Sequence, residues 1–378
     1  MQIPSTGRRG VDRRTLPWYV VPALALLCAG FTLHPDSTRT ERTTVTKRDA
    51  AATPFFGGVF LGDDATRPDR IERALREYER KVGSRPALVK TFFRLDDDFG
   101  GSGWAGQVLR RIARTGSTNY TALDLRWRGA PARPLLDALA AGEADAALRR
   151  VARGLRAIDG VILIEPAWEM NGDWAYPWQG AANGGEPDVP ARFAAAWRHV
   201  VELFRAEGAS NVRWVFSPNV GNPIAKRALG ERHWNWYAHY YPGDAWVDYV
   251  GAHGFNGPSV WGGSYQDFAT LFDGPAADRI LSDLAARFAD KPIIIGEFAT
   301  EEASGRDKGR WIRDAYALLH AHPQIVGAVW FDMGKEADWQ LDSSPSALAA
   351  YRDAMRNPRV RAEFDERLLA SPVQLAAR

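Results

Sequence analysis

From residue 55 onward, short runs of apolar residues alternate with longer stretches in which apolar positions recur every three or four residues. The short runs fall at 57–61, 87–95, 120–127, 161–165, 212–216, 247–253, 292–296 and 325–331, and read as strands. The periodic stretches read as helices at 68–82, 104–114, 133–157 with a break near Gly142, 189–207, 265–289, 308–320 and 345–355, with a short aromatic helix at 233–241. Some runs, Val161-Ile162-Leu163-Ile164 and Ile293-Ile294-Ile295 among them, are apolar throughout, as strands covered on both faces are. Strand-then-helix alternation calls for parallel pairing, because parallel neighbours need crossover connections. Eight such units in order predict an α/β fold, a single (β/α)8 barrel at 54–357. The rival is an open doubly wound sheet, which wants a glycine-rich phosphate turn after its first strand. Here Gly57-Gly58 lies ahead of that strand rather than after it.

The N-terminus has a different pattern. Arg8, Arg9, Arg13 and Arg14 precede an uncharged run from Leu16 to Leu33, the arrangement of an export signal. The run is also nearly long enough to span a bilayer, with the basic flank held inside and the rest outside. Residues 1–33 therefore read as a cleaved signal or an uncleaved membrane anchor, 34–53 as a polar linker and 358–378 as a C-terminal tail. The expected location is outside the cytoplasm: extracellular, periplasmic, or anchored to the outer face of the cytoplasmic membrane.

Composition narrows the chemistry. With 48 basic and 46 acidic residues, nothing electrostatic invites nucleic acid. The one cysteine, Cys28, lies in the N-terminal apolar run, so the barrel has neither a disulfide framework nor a thiolate metal site. The seven histidines show no His-Glu-x-x-His spacing, and no Gly-x-Ser-x-Gly elbow occurs. No metal and no cofactor are expected, and a monomer is. The fifteen tryptophans are an excess, and flat apolar rings suit the faces of pyranose sugars.

In such barrels the chemistry sits at the C-terminal ends of the strands. Those ends yield Arg94 and Asp96, Asp124 and Arg126, Glu169 and Asn171, Ser217 and Asn219, His253 and Asn256, Glu297, then Trp330 and Asp332. Two carboxylates stand out. Glu297 follows the apolar run 292–296, and Glu169 follows the fourth strand with Trp174 and Trp178 close behind. Strands four and seven face each other across a barrel mouth, so two glutamates there can flank a glycosidic bond. A retaining mechanism wants carboxyls ~5–5.5 Å apart, one as nucleophile and one as acid then base.

Several segments resemble glycoside hydrolase family 26, whose members include β-mannanases and some β-glucanases. They are Glu169-Met170-Asn171-Gly172-Asp173-Trp174, Val215-Phe216-Ser217-Pro218-Asn219, Tyr240-Tyr241-Pro242-Gly243-Asp244, Val247-Asp248-Tyr249-Val250-Gly251, 292–298, and Trp330-Phe331 with Asp338-Trp339. The resemblance implies a (β/α)8 barrel with Glu169 as acid/base and Glu297 as nucleophile. Two motifs depart from it. Mannanases of the family usually read Arg-Pro-x-His before the acid/base, where this chain has Glu165-Pro166-Ala167-Trp168. The family tends to end strand six in Asp-Gly-Tyr-Asn, where this chain has His253-Gly254-Phe255-Asn256. Phe255 cannot donate the hydrogen bond that the tyrosine gives the nucleophile.

The reading is an exported, retaining endo-β-1,4-glycan hydrolase of the mannanase type, acting on a β-linked polysaccharide. Trp168, Asn171, Trp174, Trp178, Asn219, His253, Asn256, Trp261 and Trp330 are the expected substrate contacts. Mixed-linkage or other β-glucan is the alternative substrate. The rival classes are a non-catalytic saccharide-binding barrel attached to a polysaccharide export system, and an unrelated metal-dependent hydrolase.

Overall fold

The computed structural model describes residues 53–129, 133–225, 229–303 and 305–369. The expectations for the signal or anchor and for most of the linker lie outside these residues. No helix among the described residues is long and apolar enough to cross a membrane.

Eight parallel strands close into a barrel: β1 (Phe55–Phe60), β2 (Leu88–Arg94), β3 (Thr118–Asp124), β4 (Ile162–Pro166), β5 (Val212–Phe216), β6 (Tyr249–Asn256), β7 (Ile293–Thr300) and β8 (Ile325–Phe331). Closure runs through β1, which pairs with β2 on one side and β8 on the other. A two-residue β9 (Val360–Arg361) adds to β1. The fold is the (β/α)8 barrel that the alternation predicts.

The helical layer departs from prediction in two places. Between β5 and β6 the described residues form only 3-10 turns, at Gly230–Arg232, Tyr237–Tyr240 and Asp244–Trp246, in place of the expected aromatic helix. Bulky rings pack inward there, and Pro242-Gly243 ends any helical run. The long helix expected at 265–289 is two, Phe268–Asp273 and Ile280–Arg287, divided at Gly274-Pro275. Pro275 disfavours helical backbone at the residue before it, and Gly274 is extended. The predicted break near Gly142 separates Leu135–Ala140 from Asp145–Arg156.

Side chains alternate across each strand, so every second residue enters the barrel. Phe56, Leu88, Tyr120, Leu163, Val215, Ile294 and Val329 belong to one apolar cluster that fills the lower interior. The described part of the tail closes this end. The Phe364 ring lies 4.7 Å from that of Phe56, Leu369 is buried, and Glu366 pairs with Arg213 on β5. One step higher, two residues along β2 and β4, the interior turns polar with Lys90 and Glu165. The larger cluster, in which Leu75, Val108, Leu148, Val200 and Ile312 are buried, glues the helices to the outside of the barrel. This rigid wall positions the groups at the mouth.

Candidate active site

Lys90, the third residue of β2, is fully buried. A buried ammonium needs partners, and Lys90 has three. It forms an ion pair with Glu165 of β4, lies 3.2 Å from Glu297 Oε1, and donates to the Gly296 carbonyl at 3.3 Å. The Tyr120 hydroxyl donates to Glu165 Oε1 at 2.9 Å. His253 of β6 completes the set. Its Nε2 is 2.9 Å from Glu165 Oε1, and its Nδ1 is 3.0 Å from Glu169 Oε1 and 3.6 Å from Glu297 Oε1. The Trp174 indole donates to the other Glu169 oxygen at 3.0 Å.

The backbone is shaped for this cluster. The pairing of β6 with β7 skips a residue, so that Ala252 faces Ile295 but His253 faces Glu297. Gly296 is the residue left out. Such a bulge breaks the alternation and re-aims the next side chain, here Glu297. A Cβ on Gly296 would stand 2.5 Å from His253 Nε2 and 2.7 Å from both Glu165 Oε1 and the Tyr120 hydroxyl, so only glycine fits. Glu297 is thus not the end of its strand, because β7 continues to Thr300. Past β4, Ala167, Glu169 and Ala175 all have positive φ, a costly conformation for residues with a Cβ. The Glu169 N–H donates to Ser217 O at 2.8 Å, and Gln179 Nε2 donates to Glu169 O at 3.1 Å, which together hold the strained turn.

The charges balance in a particular way. Burial alone would raise Glu165, but His253 and Lys90 outweigh it and hold this carboxyl well below the usual carboxylate range. Burial opposes charge on His253, yet Glu165 and then Glu297 overcome it and raise the imidazole to about 10. Burial pushes Glu297 up, His253 and Lys90 pull it down, and the neighbouring carboxyls Glu169 and Glu165 leave it raised overall. Two cations and three carboxyls make a neutral cluster when one proton is shared among the carboxyls. Glu165, held low by His253 and Lys90, does not hold it.

Glu165, His253 and Glu297 also bring ligand atoms within 4.8 Å of one another, a spacing a metal ion can use. Lys90 already sits against both of those carboxylates and supplies the positive charge from within. A cation added there would be repelled by the ammonium, so the donor set does not suit a metal.

The other expected contacts divide. Trp174 is half-buried beside Glu169, and Trp261 is 43% exposed, its ring stacked on Trp339 at 5.7 Å. Asn219 is partly exposed, with its side-chain N–H donating to Val220 O. The rest are buried. Trp178 and Trp330 are wholly buried and donate to the Trp168 and Trp339 carbonyls, so neither has a face to offer a sugar. Trp168 is nearly buried against Phe92, Tyr176 and Trp178. Asn171 spends its amide on the Asn219 and Gly221 carbonyls and its oxygen on the Asn219 N–H. Asn256 is tied to Thr300 and Gln266. His253 lies beneath the carboxyls, fully buried, rather than in the cleft. They lie at strand ends or in the loops beyond them, and at that level a side chain can also turn inward to fasten loops. Lys90 and Tyr120 were missed, although a lysine inside the apolar run 87–95 is a signal that it has a buried partner.

A parallel barrel with two carboxyls facing one another at its C-terminal mouth, over a buried charge cluster, is the architecture of a barrel glycoside hydrolase. Comparison with known proteins agrees. The family model for Glycosyl hydrolase family 26 matches residues 137–304. Endoglucanase H of Acetivibrio thermocellus is 35% identical over 312 residues, covering 79% of this chain and 30% of that protein. The chain thus spans less than a third of that relative's length. Among solved structures, a Bacillus subtilis mannanase superposes with a TM-score of 0.55 at 16% identity, covering 80% of this chain and 86% of that one. A modular endo-β-1,4-mannanase from Cellulomonas fimi gives 0.58 at 16% identity, covering 86% and 78%. These two likenesses speak to the fold. By that family model and that relative, the barrel is similar to glycosyl hydrolase family 26.

Proposed function

We propose that this chain is a retaining endo-hydrolase of a β-linked glucan, with Glu297 as nucleophile and Glu169 as acid/base. The observation that carries the chemistry is the approach of both carboxyls to one nitrogen, His253 Nδ1, at 3.0 and 3.6 Å. That proximity supports double displacement, which uses carboxyls ~5–5.5 Å apart, over inversion, which needs ~6.5–9.5 Å to seat a water. Glu297 attacks the anomeric carbon as the bond to the leaving oxygen breaks, and Glu169 gives that oxygen its proton. Glu169 then takes a proton from water, whose oxygen attacks the same carbon and frees Glu297. Trp261 offers a stacking face at the open side of the site.

Mannan is the substrate first expected from the family. Glucan is favoured by the 35% identity to a protein named as an endoglucanase, and by Trp168 in place of the motif's histidine. Export through residues 16–33 is part of the proposal and rests on the sequence pattern. The deciding experiment measures reducing ends released from barley-type β-glucan, cellulosic glucan, glucomannan and mannan, with the anomer first formed followed by NMR. Release from glucan with the β-anomer appearing first is the expected result. Cleavage of mannan alone would overturn the substrate, an α-anomer the mechanism, and tight binding without cleavage the enzyme reading altogether.

A further inference from the structure

We infer that His253 is a positioning residue that stands as an imidazolium between nucleophile and acid/base, and stabilises whichever carboxylate is charged as the reaction proceeds. The inference rests on the proposed double displacement and adds a group to it. Its basis is geometric. Nε2 faces Glu165 at 2.9 Å, and Nδ1 faces Glu169 at 3.0 Å and Glu297 at 3.6 Å. Both ring nitrogens therefore meet carboxyl oxygens, and only the doubly protonated ring can donate at both ends. The groups around it are Lys90 from β2, Tyr120 from β3, Glu165 from β4, Glu169 from the turn after β4, and Glu297 from β7. Of these only Lys90 is cationic, and it is already engaged by Glu165 and Glu297.

The charge count shows what the imidazolium does. Double displacement starts with Glu297 as the anion and the proton on Glu169. As Glu297 bonds to the anomeric carbon, its charge is consumed in the ester, and Glu169 becomes the anion by giving its proton to the leaving oxygen. The negative charge has moved from one carboxyl to the other, and the cluster is as neutral as before. A fixed cation within hydrogen-bond reach of one carboxyl and 3.6 Å from the other serves both states with little reorganisation. A neutral imidazole would present a lone pair either to Glu165 or to Glu169 and Glu297. Glu165, buried and acceptor to His253, Lys90 and Tyr120, keeps the ring charged and in place.

The test has an arm that does not use activity. In the 15N-labelled full chain, proton–nitrogen correlation spectra of the imidazoles should show N–H at both His253 nitrogens from pH 6 to pH 8.5, the resonances being assigned by their loss in His253→Gln. A singly protonated ring at pH 7 would overturn the inference. In the second arm, His253→Gln keeps an amide donor and removes the charge. On an aryl β-cellobioside its kcat should fall about 10²-fold with little change in KM. Both limbs of its pH profile should move upward by about one unit, because a cation that favoured the carboxylates is gone. A folded His253→Gln with an unmoved profile would refute the role. If the wild-type chain cleaves no glucan, the activity arm fails with the proposed function, and the spectra still decide the state of His253.

Discussion

His253 Nε2 lies 2.9 Å from Glu165 Oε1, and these two residues are sites where the chain departs in charge from the motifs of the family it resembles. Where mannanases of the family usually carry an arginine before the acid/base and an aspartate at the end of strand six, this chain carries a glutamate and a histidine. The charges are exchanged across the same pair of strands. A lone Arg-to-Glu change in a buried interior would strand a carboxylate at a cost of several kcal/mol. In this chain His253 and Lys90 supply the partners that the buried Glu165 needs.

The two outer glutamates should separate by leaving group. Glu297→Ala should abolish turnover on every substrate. Glu169→Ala should slow polysaccharide cleavage by about 10²–10⁴-fold yet spare aryl glycosides with good leaving groups, and azide should restore its second step. Initial rates on both substrate types, with and without azide, check this. Equal losses on both types would reject Glu169 as the acid.

Glu165 should behave unlike either. It is fully buried and touches Lys90, Tyr120 and His253, so no sugar reaches it. Glu165→Gln should lower stability by about 3–5 kcal/mol, because it leaves buried cations short of a partner. Its residual activity should not respond to azide. Urea unfolding followed beside azide titration measures both, and azide rescue at Glu165 would show that the wrong carboxyl has been named.

Gly296→Ala tests the bulge. Its new methyl would meet His253 Nε2 at 2.5 Å, and the neighbours there are a packed histidine, a carboxylate and a tyrosine that cannot all retreat. Crowding should cost about 1–3 kcal/mol of stability. Activity should fall far more than that loss explains, because Glu297 is displaced. Near-wild-type kcat in the folded variant would contradict the assigned geometry.

Stability should depend on pH through His253. A group raised from its unfolded value near 6.5 to about 10 contributes stability that is fully present below the unfolded value and lost as pH rises through 10. The depressed Glu165 works at the other end, its contribution being present above the unfolded value and lost as pH falls. Thermal stability should therefore fall from pH 7 toward pH 10, and His253→Gln should flatten that slope. An identical slope in the variant would exclude His253 as its source.

Trp261, with 43% of its surface exposed and its ring braced on Trp339, should act on binding alone. Trp261→Ala should raise KM about fivefold, the loss of ~1 kcal/mol of ring contact, and leave kcat nearly unchanged. Steady-state kinetics on glucan oligosaccharides measure the split. A fall in kcat with constant KM would place the ring elsewhere in the cycle.

The sequence by itself determined the barrel and placed Glu169 and Glu297 at its mouth. Both are local in origin: runs such as Ile293-Ile294-Ile295 can only be strands covered on both faces, and Glu169 and Glu297 stand where such strands approach the mouth. It also named the neighbourhood of the site, since each expected contact lies near a strand end. Only the tertiary structure decided what each side chain there does. Lys90 and Glu165 are 75 residues apart and His253 and Glu165 are 88 apart, and nothing local to any of them states the pairing. The skipped Gly296 breaks the alternation by which a strand's inward face is read, and tight packing chose between stacking face and buried brace for Trp261 and Trp330. Periodicity fixes which face a residue occupies. The partner it finds across a closed barrel depends on register and curvature, which belong to the whole sheet.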